Sequence, residues 1–524
     1  MRDVSPAIAY RGWMLQVSII VELLRTWPRV IFWLAALTQA ALWFLVPTLL
    51  YSAPPGELPF VLAIGHEFQL GTHLGPPLAF WLAEMVFTIC GRSAIGIYLF
   101  AQVCVVVTYW AIFNLGRAIV GTQQAAMATL LMVGISALCL PTPEFSPAIL
   151  AMPLTALVLL HFWYALGEGK RNYWFTLAIE VGLLLLTSYA GLILVGLMTL
   201  MLVTTERGKK ALGSTEPWIA GIVVVVVLFP HLIWIDAAGD LVVPTLQRLL
   251  SAEAADTNLF AWLRLVFLLL VAHAGLVVLV ALASVWRTSG QTAVPEFRRD
   301  PLDPFARTFI YYFALAPAFV ATLIATIVGL DGPVGGAPPL LVLSGLAVVV
   351  AAGDVIRFYR QPLVGLVWSA LLFAPPLLTV VAVVVLPWVA AVDLAVVQPA
   401  NAMGRFFAET FERRMGQPLS VVSGEPRLAA LVALGTSARP SLYLFATPRR
   451  SPWVTPADIA RRGAVVVWYA SDTAGLPPAE LKQAFPDLVP EVPRAFERPI
   501  QGRLPLLRIG WGMIRPQNAS PENK

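Results

Sequence analysis

A chain of 524 residues that is 58% hydrophobic and only 12% charged has too little charge to cover a water-facing surface; soluble domains carry about 25%. The mean hydropathy of +0.78 comes from long continuous apolar runs. These exclude a barrel, whose segments alternate over about ten residues, and leave a polytopic helical membrane protein. The net charge of +5 requires no nucleic-acid partner, because the arginines flank apolar runs where the positive-inside rule puts them.

In chain order, residues 1–30 carry Arg2, Arg11, Arg25 and Arg29 around apolar positions and read as a cytoplasmic segment on the inner membrane surface. They lack a cleavage site, so the first span, about 31–50, is expected to stay as an anchor. An outer loop with an amphipathic tail too short to span fills about 51–94. Further spans are predicted near 95–116, 124–140, 147–166, 173–187, 190–204, 217–235, 259–286, 308–330, 338–353 and 363–389, about eleven in all. Tyr189-Ala190-Gly191 is either a break between two short crossings or a kink in one helix. A second outer loop lies at 141–146.

Charge orients these spans. Arg117, Lys170, Arg171, Arg207, Lys209, Lys210, Arg287, Arg298, Arg299, Arg307, Arg357 and Arg360 fall on the N-terminal, cytoplasmic side. The opposite loops before residue 390 hold little beyond Arg92 and Arg248. An odd count places the C-terminal region outside. From 390 to 514 strands (LSVVSG, SLYLFA, AVVVWYA, LPLLRIGW) alternate with helices (PRLAALVAL, PADIARR, PAELKQAF). This pattern predicts a small α/β extracytoplasmic domain with a mainly parallel sheet. Residues 515–524 read as a disordered tail. The expected architecture is thus an all-α membrane domain over 31–389 followed by that domain.

The stretch Glu57 to Trp81 collects two acids (Glu57, Glu67), two histidines (His66, His73) and a rigid Gly75-Pro76-Pro77 step. Ionisable groups gathered beside a membrane point to function. Glu144 sits in PTPEFSP, where Pro141, Pro143 and Pro147 keep the segment out of the flanking helices. Two acids thus approach one membrane face from two loops, and paired carboxylates can divide base catalysis and orientation. The plain alternative is two solvated loop acids that never meet. His66 and His73 lack the tight spacing of zinc ligands, and no metal or other cofactor is expected. Glu84 and Glu180, within apolar helices, are expected to be paired, and Glu84 could edge a cavity. Cys90, Cys104 and Cys139 read as buried apolar residues, with a Cys90–Cys139 disulfide left open.

The order of first span, acidic outer loop, Pro76-Pro77-Leu78-x-x-Trp81-Leu82, Gly91-Arg92-Ser93, a long span ending in LGRAIVG, then Thr142-Pro143-Glu144 resembles the polyprenyl-phosphate-dependent glycosyltransferases of the GT-C fold. More narrowly it resembles glycosyltransferase family 39, with its protein O-mannosyltransferases and aminoarabinose–lipid A transferases. The resemblance covers about residues 30–240. It implies a bacterial inner-membrane enzyme with the C-terminal domain periplasmic. The donor would be a sugar on undecaprenyl phosphate and the acceptor an envelope lipid, lipid A or a glycan, with membrane lipids around them. Glu57 stands where the family has its catalytic Asp, and Glu144 where it has a second acid.

Two positions depart from the pattern. Leu74-Gly75 stands where the family has Lys or His before the prolines. Ser188, in TSYAG, stands where it commonly has Lys. A cation there would stabilise the leaving phosphate. His73, Arg92 and Arg264 are the substitutes in reach of the argument, with Tyr189 a further substrate contact in the TSYAG segment. These departures keep a catalytically inactive relative, one that binds a lipid-linked sugar or scaffolds an envelope complex, as the alternative. A transporter is disfavoured, because no repeated halves with paired broken helices are visible.

Overall fold

The computed structural model describes residues 21–238, 259–284, 296–357, 361–470 and 475–517. Residues 1–20 of the N-terminal segment, the charge markers Arg248, Arg287 and Arg360, and tail residues 518–524 lie outside the described residues.

In chain order the helices are α1 (Pro28–Leu50), α2 (Leu58–Gly65), α3 (Leu78–Ile89), α4 (Ala94–Val120), α5 (Thr122–Met132) and α6 (Pro147–Phe162), the last continued by a π turn to Gly167. Then come α7 (Tyr173–Leu185), α8 (Gly191–Thr204), α9 (Glu206–Leu212), α10 (Glu216–Ala237), α11 (Leu259–Ala272), α12 (Ala274–Ser284), α13 (Pro304–Val328), α14 (Ser344–Ala351) and α15 (Gln361–Val389). Helix lies at all eleven predicted span positions. Among the described residues six helices are long and apolar enough to cross a membrane by themselves: α1, α4, α6 with its π turn, α10, α13 and α15. The pair α11–α12 bends by 57° and the pair α8–α9 by 97°. The sharper bend follows from composition. Thr205 caps a new helix that carries Glu206, Arg207, Lys209 and Lys210, and four charges in seven residues do not continue into hydrocarbon. The break at residues 186–190 separates α7 from α8.

Two compact units can be distinguished. The first takes residues up to Leu45, Leu99–Asp236 and Val243–Leu377. In it α6 packs on α7, α5 on α14, and α13 on α8, α11 and α14. The apolar-helix acid Glu180 meets His161 Nδ1 at 2.7 Å, as expected of a buried carboxylate. A two-stranded antiparallel ribbon, β1 (Glu296–Arg298) with β2 (Val355–Arg357), holds buried Arg299 against Asp354 (3.0 Å) and Gln124 (2.8 Å).

The second unit takes Val46–Tyr98, Ala237–Val242 and Leu378–Lys524. Its sheet runs β4 (Ser441–Tyr443), β3 (Val421–Gly424), β5 (Ala464–Tyr469), β7 (Leu507–Ile514), β6 (Val489–Phe496). Along with α16 (Ala400–Met415), α17 (Pro426–Gly435), α18 (Pro456–Arg462) and α19 (Ala479–Ala484) it forms an α/β layer. The apolar run of β5 alternates sides: Val465 and Val467 join Phe407, Phe411, Leu428 and Leu431, while Val466 and Trp468 join Ile459, Leu481 and Phe485. Burial on both faces explains why the strand reads as continuous rather than alternating.

The expected mainly parallel sheet is corrected. β3 pairs in parallel with β4 and β5, but β7 pairs antiparallel with both β5 and β6. β6 escaped the sequence because it contains Pro490 and Pro493, which suit only an edge strand. The cysteines are corrected too. All three are free; Cys104 and Cys139 are buried, but Cys90 is exposed because it caps the C-terminus of α3.

Candidate functional site

The stretch around Glu57 is built into the second unit. Ser52 and Ala53 donate their amides to Val396 O at 2.8 and 3.0 Å. Ala53, Pro54 and Pro55 are buried, and Gly56 turns the chain at a φ of 50°, a conformation glycine adopts without strain. Glu57 follows at the N-cap of α2, its carbonyl accepting from Phe60 N (2.9 Å) and Val61 N (3.1 Å). Pro59 suits the first turn, where no amide is missed. Every residue of α2 except Phe60 is buried, whereas Glu57 is exposed. A carboxylate with solvent access thus sits on a backbone held from both sides. Close packing of α2 on α3 depends on Gly65, where a Cβ would collide with Phe80 O.

His73 lies in a tight loop closed by Thr72 N to Gly75 O (3.0 Å) and Gly75 N to Thr72 O (3.1 Å). Gly75 has a φ of 142°, where a side chain is strained. The departure from Lys or His therefore has a backbone cause. Burial and the Arg450 charge push the His73 imidazole down to about 4. At neutral pH it offers hydrogen bonding but no charge, and its Nδ1 is buried without a partner among the described residues. Arg92, at a φ of 61°, is exposed and donates to Ser437 O at 2.8 Å.

A buried ionic cluster accompanies them. Glu84 is 4% exposed and accepts from Arg439 Nη2 at 2.5 Å, with His66 Nδ1 at 3.3 Å from its other oxygen. Arg439 also donates to Leu62 O (3.1 Å) and lies over the Phe87 ring. Burial lowers the Arg439 guanidinium, an effect the Glu84 charge opposes. Burial raises the nearby Glu67 carboxyl against the pull of a Ser441 hydrogen bond and the His66 and Arg439 charges. Glu84 is therefore a paired structural acid. The sequence marked it as needing a partner, but nothing near it in the chain named Arg439.

The other candidates lie in the first unit. Glu144 is half-buried in a turn closed by its own amide to Pro141 O (3.0 Å), just before α6. Next to it Phe145 is fully buried and packs on Phe100. Tyr189 donates to or accepts from His231 Nε2 at 3.1 Å, and the two rings stack. Arg264, 59% exposed, is paired with Asp331 at 2.7 Å. The Ser188 slot contains no charge. A small cavity beneath it is lined by Thr155, Leu184, Pro317, Pro339 and Leu340 among others. Gly335, at a φ of 80°, lies so close that a Cβ would strike the Ala190 side chain, and a Cβ on Gly336 would meet Ala148 at 2.9 Å. Among the described residues no three His, Cys, Asp or Glu side chains gather as metal ligands would.

Comparison with known proteins gives a family match over part of the chain and a shared fold over nearly all of it. Over residues 75–234 the chain matches the family of dolichyl-phosphate-mannose-protein mannosyltransferases. No curated protein matches it. Solved structures share the fold along nearly the whole chain. ArnT from Cupriavidus metallidurans bound to undecaprenyl phosphate superposes with a TM-score of 0.59 at 14% identity, covering 94% of this chain and 99% of that one. Its apo form gives 0.55 at 13%, covering 98% and 100%. The resemblance drawn from the sequence is borne out as a family match over residues 75–234 and as a fold shared with these structures along nearly the whole chain.

Proposed function

We propose that this protein moves a sugar from a polyprenyl phosphate, undecaprenyl phosphate in bacteria, to an envelope acceptor such as lipid A, another lipid or a polysaccharide. The single observation that carries the reading is the setting of Glu57, an exposed residue on a hydrogen-bonded backbone turn; the resemblance read from the sequence puts the family's acid at this position. Glu57 takes the proton of the acceptor hydroxyl as its oxygen attacks the anomeric carbon. The bond to phosphate breaks with inversion, and the electron pair leaves on the lipid phosphate. Glu144 holds the acceptor or the base. Tyr189, Arg92, Arg264 and the uncharged His73 are the candidate substrate contacts, His73 through hydrogen bonds alone.

The protein would sit in the bacterial inner membrane with residues 1–30 cytoplasmic, spans within 31–389 and the 390–514 domain periplasmic. Exposed Cys90 gives a check on sidedness. An impermeant maleimide added to spheroplasts is expected to label Cys90, and labelling only after lysis would reverse the orientation.

The catalytic reading is tested with purified full-length protein and undecaprenyl-phosphoryl sugars, following release of undecaprenyl phosphate. Turnover is expected for wild type and to fall about a thousandfold in Glu57→Gln; full turnover by the variant would sink the assignment. A second reading, a relative that binds the lipid-linked sugar without turnover, is favoured by the uncharged slot at Ser188. It predicts that undecaprenyl phosphate binds but no tested donor is consumed.

A further inference from the structure

The turn that presents Glu57 is gripped by a side chain from a distant part of the chain. Arg427 donates through Nη1 to Gly56 O and through Nη2 to Pro54 O, the latter at 3.3 Å. These are the carbonyls one and three residues before the acid. Arg427 is itself well anchored. It is the second residue of α17, whose N-terminus is capped by Glu425 Oε2 accepting from Leu428 N at 2.7 Å. Leu428 and Leu431 of the same helix are fully buried in the core against which Phe60 of α2 packs. The Arg427 side chain is half-buried, and its Nε is buried without a partner among the described residues. The guanidinium therefore has little freedom to leave.

We propose that Arg427 is a positioning residue for Glu57, so that the C-terminal α/β layer is part of the transfer machinery and not an appendage. The proposal rests on the sugar-transfer reading of Glu57. A planar fork spanning two carbonyls fixes both place and orientation of the turn, which a lysine's single ammonium does not reproduce. Misplacement of a reacting group by about 1 Å can cost about 100-fold in rate.

Full-length wild type, Arg427→Ala and Arg427→Lys are compared in lipid nanodiscs. Backbone hydrogen exchange is followed in peptides covering 52–61 and, as a control, 464–470. Turnover is followed with undecaprenyl-phosphoryl mannose and undecaprenyl-phosphoryl aminoarabinose in the presence of envelope lipid extract. Both variants are expected to raise exchange over 52–61 by about tenfold or more while leaving 464–470 as in wild type. They should lower kcat about 30- to 100-fold with KM little changed. In a Glu57→Gln background, Arg427→Ala should add almost nothing, because no acid remains to be placed. Unchanged exchange over 52–61 overturns the proposal, as does a loss confined to KM or a full additional loss on top of Glu57→Gln. If wild type consumes neither donor, the sugar-transfer reading fails and the catalytic role of Arg427 with it. The exchange measurement still decides whether the clamp exists.

Discussion

Two regions of this molecule treat polar groups in opposite ways. In the unit that holds Glu57 the chain invests in charge: Arg439 against Glu84, Arg427 on the Pro54 and Gly56 carbonyls, Arg498 forked onto Asp393 at 2.7 and 3.0 Å. Around Ser188 it removes charge, closing the segment with glycines and alanines over an apolar cavity. Ion pairs fix the geometry around the carboxylate that is proposed to react. Small residues permit close backbone approach where helices break. The Gly335-Gly336 loop lies against Ala190 and Ala148 beside this segment.

The contrast can be broken in several places. The largest effect is expected at Glu57. Exchange for Gln should cost about a thousandfold in turnover, the range for losing a general base, while undecaprenyl phosphate binding stays within a few-fold. Equal turnover would leave the charged region with no catalytic meaning.

Next is the buried pair. Arg439→Leu leaves the buried Glu84 side chain without its main partner and should destabilise the protein by about 3–5 kcal/mol, read as a lowered thermal midpoint. Adding Glu84→Leu should return most of that loss. If it does not, the pair is not what ties α3 to the C-terminal layer.

A smaller cost is expected on the apolar side. Gly335→Ala forces a side chain into a left-handed conformation and against Ala190, for about 1–3 kcal/mol. An unchanged midpoint would show that the loop can retreat from the Ser188 segment.

The smallest effect concerns pH. The His73 imidazole is held near 4, below its ordinary 6.5. Between those values the unfolded chain binds a proton that the folded chain does not, so this histidine's contribution to stability is complete above about 6.5 and fades as pH falls toward 4. His73→Asn should flatten the decline of thermal midpoint between pH 7 and pH 4.5, and an identical decline would place the sensitivity elsewhere.

Much of this was legible in residue order alone. Hydropathy is a local property, so the membrane class and the positions of the six long apolar helices followed directly from it. The need of Glu84 and Glu180 for partners followed from the cost of a lone charge among apolar side chains. The motif order from the first span to Thr142-Pro143-Glu144 carried a family resemblance, and the family match spans residues 75–234. What tertiary structure alone decided was who those partners are and where the backbone goes. Arg439 reaches Glu84 across 355 residues and Arg427 reaches Gly56 across 371; β6 was accepted as an edge strand despite its prolines; Gly335 came to rest on Ala190. Each depends on a meeting of distant segments, and a linear pattern encodes the demand for such a meeting without encoding which segment answers it.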